Sequence, residues 1–340
     1  MAIPRILIIG TGSVGRRHAK NMVHLGAQVS CFDPRGDRLQ QAKSEIPALV
    51  HTYNDLNQAL NEATFYGVVV ASPPRFHVEQ AETCLRRGLP VLLEKPVSPG
   101  LEEAVRLEKT VAETNVPLLL GYTYRWWPPL MAMKERLREV GPLRHARFVM
   151  SAHLADWHPW ENYQDFFMAS RELGGGALLD ESHFIDLMLW LFGKPDALTG
   201  RVEHLSSLEI TTDDNVDLLC IYKDNFRVTI HLDLFGRPHE KSLTAAGEDG
   251  TLQCLFDPNL LRYSQDAAGN WAVTEFDCER NDMFLAEAKE FLRVIAGDTA
   301  PSCTINDGVE VMRCVEAARQ STETGQTVGF AGRWTMDDGR

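Results

Sequence analysis

The stretch Arg5-Ile-Leu-Ile-Ile-Gly-Thr-Gly-Ser-Val-Gly15 limits what this chain can fold into more than any other. Ile6 to Ile9 is a short apolar run rich in β-branched residues, the mark of a strand buried on both faces. The chain then turns through Gly10, Gly12 and Gly15, a G-x-G-x-x-G spacing, and enters a helical pattern over 13–25. Gly10 permits the tight turn, Gly12 lets the backbone approach a pyrophosphate, and Gly15 lets helix and strand pack closely. The helix start adds free N–H donors and a positive dipole end. Gly10, Thr11, Gly12, Ser13, Val14 and Gly15 are therefore the expected phosphate cradle. A second strand over 28–32 ends at Asp33, 18 residues after Gly15, where a carboxylate can bond the adenosine ribose diol. Strand, glycines, helix, strand and acid fall in the order of a dinucleotide site.

The alternation continues. Helices are predicted over 37–45 and 53–62, the second capped by Asn54. Buried strands are predicted over 66–71, 90–93 and 117–121, separated by helices over 77–87 and 101–114. Such regular alternation gives a doubly wound parallel sheet with right-handed crossovers, a Rossmann domain over 1–121. Residues 122–340 read differently. A helix over 128–140 leads to a Trp-rich stretch over 156–163, and Gly174-Gly-Gly176 precedes a helix through Phe192. Extended segments joined by short turns then run from 197 to 276, with 216–222 and 226–234 the clearest hairpin. This is an α/β domain with a mostly antiparallel sheet, closed by helices over 282–296 and 307–324.

At 340 residues there is chain enough for two cores. A net charge of −13 argues against nucleic acid or an anionic membrane as partner, while leaving room for an anionic substrate at a local basic site. The seven scattered cysteines form no C-x-x-C pair, which suits reduced thiols in a cytoplasmic setting. No signal peptide is predicted ahead of the first strand, and no apolar run reaches the ~20 residues of a membrane span.

Together, Gly10–Gly15, Ser72-Pro-Pro-Arg-Phe-His77, Glu94-Lys-Pro96, Gly174-Gly-Gly-Ala-Leu-Leu-Asp-Glu-Ser-His183 and Cys303-Thr-Ile-Asn-Asp-Gly308 resemble the Gfo/Idh/MocA oxidoreductases. The resemblance covers nearly the whole chain. It implies a large open sheet in the second domain, facing partner subunits in a homodimer or homotetramer. It also implies hydride exchange between a nicotinamide and a ring alcohol of a sugar, cyclitol or nucleotide sugar, with a hint of surface-sugar metabolism.

Glu94-Lys95-Pro96 ends a parallel strand, where open α/β sheets bind ligands. Pro96 fixes the turn and biases Lys95 toward an extended backbone. Lys95 can bond the reacting oxygen and relay its proton, and partial burial beside an oxidised nicotinamide favours the neutral amine that such work needs. The alternative is a surface lysine paired with Glu94; the resemblance favours the catalytic role. In Asp180-Glu-Ser-His183, a three-residue spacing puts Asp180 and His183 on one helical face, with Asp186 a turn on. His183 is expected as base and Asp180 as its partner. The family more often spaces this pair four apart, which leaves the principal base open. Asp180 as a mere helix cap and His183 as a buried structural histidine is the plainer reading.

Trp157, His158, Trp160 and Tyr163 offer stacking faces and polar edges for a sugar ring, or equally the core of a self-packed loop. Tyr122, Arg125 and Trp126 follow the last parallel strand and are expected to border the nicotinamide and substrate. Arg125 either grips a carboxylate or phosphate or forms a salt bridge within the protein. Ser72, Pro73, His77 and Glu94 complete the expected cofactor site, where the resemblance implies a packing role for His77. His77, His153, His158 and His183 do not fall at metal-ligand spacings, so no metal is predicted. Asp33 favours NAD, and Arg35 with Arg38 keeps NADP open. Two rival readings share these residues: a non-catalytic sensor of a dinucleotide and a sugar, and an isomerase or glycosidase that recycles its NAD.

Overall fold

The computed structural model describes residues 3–157 and 161–330. They form two compact units. The first begins with β1 (Arg5–Ile9), α1 (Ser13–His24), β2 (Gln28–Phe32), α2 (Gly36–Glu45), β3 (Thr52–Tyr53) and α3 (Leu56–Glu62). It continues with β4 (Gly67–Val70), α4 (His77–Leu85), β5 (Val91–Glu94), α5 (Leu101–Thr114) and β6 (Leu118–Gly121). The six strands are parallel and lie in the order β3-β2-β1-β4-β5-β6, the doubly wound arrangement the alternation implied. Its centre is dry: Ile6, Leu7, Ile8, Ile9, Val68, Val69 and Val70 are fully buried, as strands covered on both faces require. Asp55, one residue beyond the expected Asn54, caps α3 by accepting from the Gln58 N–H. The expected start of that helix at residue 53 is strand instead, because Tyr53 pairs with Phe32.

Residues 279–312 return to this unit. The helix Arg280–Ala296 opens with a reciprocal capping box between Glu279 and Asp282. Its Phe291 and Ile295 lie against Gly67, where an added Cβ would sit 2.5 Å from Ile295 Cδ1. Further on, the Cys303 carbonyl accepts from Leu120 N (2.9 Å). Gly308 packs so closely that a Cβ there would come within 2.4 Å of Val97. The expected division at residue 121 is therefore interleaved: the first unit runs to Trp126 and reclaims a late segment whose apolar side chains it buries.

The second unit holds α6 (Pro128–Arg136), α7 (Ala177–Asp180), α8 (His183–Phe192) and nine strands. These are β7 (Leu143–Ser151), β8 (Ala197–Glu203), β9 (Asn215–Ile221), β10 (Arg227–Asp233), β11 (Glu240–Gly247), β12 (Thr251–Phe256), β13 (Asn259–Ser264), β14 (Ala272–Glu275) and β15 (Val328–Gly329). They order as β14-β13-β12-β11-β7-β10-β9-β8-β15, antiparallel save for β7 against β10. The expected hairpin is β9–β10, with Val228 opposite Cys220 and Asn225 at positive φ in the turn. The helix expected over 128–140 stops at Arg136 and tightens into a 3₁₀ turn over Leu137–Val140. Among the described residues no helix is long and apolar enough to cross a membrane.

Candidate functional site

The glycine loop is built as its spacing implied, and each glycine answers to a different constraint. Gly10 has φ +90°, and a Cβ on it would sit 2.7 Å from the Ala71 carbonyl oxygen. A Cβ on Gly15 would lie 1.9 Å from the Gly10 carbonyl oxygen, so α1 can approach β1 only without one. Gly12 differs. It has an ordinary extended backbone (φ −60°), and an added Cβ would meet only the end of the Arg38 side chain, at 3.6 Å. Among the described residues nothing demands a glycine at position 12, which leaves room for a group approaching from outside. Ser13 and Val14 open α1 beside it.

Asp33 is buried at the end of β2. Its Oδ2 accepts from Thr11 N (2.8 Å) and Thr11 Oγ1 (3.0 Å), and its Oδ1 accepts from Arg35 N (2.9 Å). The carboxylate thus braces the glycine loop and keeps acceptor capacity for a ribose hydroxyl. The Arg35 side chain is exposed and paired with Asp37. These residues fit a dinucleotide: an open glycine, N–H groups at a helix start, and an acid at the second strand's end.

At the end of β4, Ser72 and Pro73 lead into α4. His77 is fully buried, with Nδ1 2.7 Å from the Pro96 carbonyl and Nε2 2.7 Å from the Ser72 carbonyl. Burial pushes its pKa down, against two carbonyl acceptors that favour the protonated ring. His77 therefore ties the turn after β4 to the turn after β5, the packing role expected of it.

Lys95 is half-buried at the end of β5, and its backbone N–H donates to Glu94 Oε2 (3.2 Å). Glu94 itself is buried and faces inward: His18 Nε2 donates to its Oε1 at 2.6 Å. Burial opposes its charge, yet the His18 contact prevails and holds the carboxyl below the usual range. Glu287, on the helix Arg280–Ala296, completes a buried group. One side-chain atom from each of His18, Glu94 and Glu287 lies within 4.8 Å of the other two. His18 and Glu287 escaped the sequence reading, although each carried a signal: both sit on otherwise apolar helix faces. Gly15, His18, Ala19 and Met22 share one such face, and Met283, Phe284, Glu287, Ala288 and Phe291 the other.

Tyr122, Arg125, Trp126 and Glu94, expected beside the cofactor or substrate, are buried or paired within the protein. Tyr122 is fully buried. The Arg125 guanidinium is ion-paired with Asp307 Oδ1 (3.0 Å) and donates to the Ser302 carbonyl (3.4 Å), within the protein as the salt-bridge alternative had it. Trp126 Nε1 donates to Glu290 Oε2 (2.9 Å). Glu94 Oε1 accepts from His18 Nε2.

Asp180 and His183 belong to the second unit. They do not share one continuous helix: Asp180 closes α7 and His183 opens α8, with the break at Glu181–Ser182. Across the break, Phe184 N donates to the Glu181 carbonyl and Asp186 N to the Ser182 carbonyl. Asp180, Glu181, His183 and Asp186 are all buried, and Lys241 Nζ approaches Glu181 Oε1 at 3.9 Å. The glycines before α7 serve the protein's own backbone. A Cβ on Gly175 would sit 2.3 Å from the Phe167 carbonyl oxygen, and one on Gly176 would sit within 2.5 Å of Asp213. Asp213 Oδ2 accepts from Leu178 N (2.8 Å), and burial raises its pKa.

In the aromatic stretch, Trp157 is half-buried, and neighbouring Asp156 forms a two-pronged ion pair with Arg237 (2.7 and 2.9 Å). The Tyr163 hydroxyl accepts from Glu209 N (3.3 Å). His158 and Trp160 lie outside the described residues.

Comparison with known proteins agrees with this geometry. Residues 4–122 match the GFO_IDH_MocA family, described as an oxidoreductase family with an NAD-binding Rossmann fold. Residues 131–253 match the GFO/IDH/MocA C-terminal domain. Inositol 2-dehydrogenase 2 of Saccharopolyspora erythraea is 24% identical over 330 residues, spanning 94% of this chain and 93% of its own. Levoglucosan dehydrogenase, solved with NADH and levoglucosan, superposes with a TM-score of 0.86 at 16% identity, covering 96% of this chain and 99% of its own. The WlbA dehydrogenase of Bordetella pertussis, solved with NADH and UDP-GlcNAcA, has a TM-score of 0.80 at 20% identity, covering 96% and 98%.

Proposed function

The chain belongs to the GFO/IDH/MocA oxidoreductase family, and from that premise we propose a dehydrogenase that oxidises or reduces a ring carbon of a sugar, cyclitol or sugar derivative. The observation that carries the reading is Lys95, a half-buried lysine at the carboxyl end of β5 beside a complete dinucleotide cradle. NAD, bound by the loop Gly10–Gly15 with its ribose on Asp33, supplies the hydride acceptor. Lys95 bonds the reacting oxygen and moves its proton, and the turn tied down by His77 holds Lys95 in place. Asp180 and His183 remain the proposed hydroxyl and proton partners on the second unit, His183 as base. Trp157, Trp160 and Tyr163 are proposed to stack on the sugar. Of the relatives named above, two are dehydrogenases named for an inositol and for levoglucosan and the third is solved with UDP-GlcNAcA, which supports a polyhydroxylated ring as substrate.

We place the enzyme in the cytoplasm as a homo-oligomer built on the nine-stranded sheet. The free thiols of Cys31, Cys84, Cys220 and Cys254 suit a reducing compartment. The test is reduced-nicotinamide formation with NAD and with NADP across inositols, free and anhydro sugars, sugar acids and nucleotide sugars. Turnover of one class with NAD preferred is expected. Nicotinamide and sugar binding with no turnover anywhere would overturn the reading in favour of a sensor.

A further inference from the structure

The group formed by His18, Glu94 and Glu287 is not used by the chemistry proposed above. Glu287 is carried into the core by the apolar face of its helix and is fully buried, and neither of its carboxylate oxygens has a hydrogen-bond partner among the described residues. His18 Nδ1 is likewise buried without one. The charged and titratable groups around Glu287 come from each element packed on it. From α1 come His18, edge-on to Phe284 at 5.7 Å, and Arg17, whose guanidinium lies over the same ring at 5.0 Å. The end of β5 gives Glu94 and Lys95. Its own helix gives Glu290, occupied by Trp126 Nε1 and Ser302 N, and the turn Thr123–Trp126 gives Arg125, paired with Asp307. No cation in this set is paired with Glu287, and His18 already serves Glu94.

We propose that Glu287 is a positioning residue for Lys95: it sits beside the Glu94–His18 pair as a neutral carboxylic acid and holds the Glu94 carboxylate, whose other oxygen accepts the Lys95 backbone N–H. Two buried carboxylates this close cannot both stay ionised. Glu94, bonded to His18, keeps the charge, and Glu287 takes up a proton from solvent as the protein folds. Burial, the Glu94 charge and the Glu290 charge all raise the Glu287 pKa, in accord with that geometry. As an acid Glu287 has an O–H to donate, and the other members of the cluster lie within 4.8 Å. A divalent cation bound by the three groups is the competing account; it would require both carboxylates ionised.

The inference rests on Lys95 as the acid–base residue, and the test separates the two. Thermal unfolding of the full chain with NAD is followed from about pH 5 to about pH 9 for wild type and Glu287→Gln. The sign follows from a raised folded-state pKa: the contribution to stability is full below the unfolded value and is lost as pH rises. Wild type is therefore expected to lose melting temperature relative to Glu287→Gln as the medium turns alkaline. Parallel curves would overturn the proposal, and so would a stoichiometric metal ion in the purified protein that the Gln variant lacks. For turnover, Glu287→Gln is expected to retain kcat within about twofold and to lose the alkaline fall of the wild-type profile. Glu287→Ala is expected to lose at least about tenfold in kcat with KM little changed. Full kcat in the Ala variant would overturn the positioning role. Should the Ala variant fail to fold, the pH profile of the Gln variant decides. Turnover untouched in Lys95→Met would remove the Lys95 reading alone, since the unfolding comparison reports on Glu287 directly.

Discussion

Gly12 and Gly15 lie three residues apart in one motif, yet alanine should fail at them for different reasons. In Gly15→Ala the new Cβ falls 1.9 Å from the Gly10 carbonyl oxygen and 2.9 Å from its carbon. Both are backbone atoms that cannot rotate away, so α1 must move off β1. Overpacking of this kind costs about 1–3 kcal/mol and sometimes more. At about 2–4 °C per kcal/mol for a unit of this size, the melting temperature should fall by roughly 2–12 °C. In Gly12→Ala the Cβ meets only the mobile end of Arg38 at 3.6 Å, and φ −60° suits alanine. The loss there is that of an N-cap glycine, at most about 1 kcal/mol. The same methyl stands where a pyrophosphate should approach, and a tenfold loss of affinity corresponds to about 1.4 kcal/mol. NADH fluorescence titration and thermal unfolding of both variants make the test. Gly12→Ala should melt within about 3 °C of wild type while binding NADH at least about tenfold more weakly. Unchanged NADH affinity in Gly12→Ala would refute the cradle, and an unchanged melting point in Gly15→Ala would refute the packing account.

Arg125→Ala removes the partner of Asp307, whose carboxylate is one-third exposed. It should cost roughly 2–4 kcal/mol in denaturant unfolding, somewhat less than a fully enclosed pair, and leave NADH affinity within about threefold. Burial opposes the Asp307 charge, but Arg125 and Thr304 outweigh it and hold the carboxyl below its usual value. That stabilisation is present above the unfolded pKa and is lost as acid approaches the lower folded one. Arg125→Ala should therefore show a shallower loss of stability below about pH 4 than wild type. His231 lies 3.1 Å from Asp233 and 2.7 Å from Asp217, and those contacts raise its pKa to about 9. Its contribution is full below the ordinary histidine value and fades as pH rises through about 9. His231→Gln should flatten the fall in melting temperature across that window.

The parallel sheet was legible because strands buried on both faces write unbroken apolar runs, as Ile6–Ile9 and the run Val68-Val69-Val70 do. The hairpin at 215–233 was legible by alternation around a turn that tolerates Asn225 at positive φ. What could not be read depended on partners remote in sequence. The apolar stripe of the helix Arg280–Ala296 shows that it packs, without showing that it packs on the Rossmann unit. Arg125 could be read either as an anion ligand or as half of a salt bridge, because its partner Asp307 lies far along the chain. The glycines at 175 and 176 answer to Phe167, Met168 and Asp213, backbone and side-chain neighbours that only the fold brings close. The helix break at Glu181–Ser182 carries no proline or glycine to announce it, so a single helix running on through Phe192 was the natural reading.

Lys95→Met is the most direct test of the central claim. The substitution keeps the length of the stem and removes the proton carrier. On the substrate that gives turnover, the variant should bind NADH as wild type does and lose about 10²- to 10⁴-fold in kcat/KM, the range expected of a lost general acid–base group. A variant that binds NADH normally and turns over within about threefold of wild type would contradict the assignment of the chemistry to Lys95.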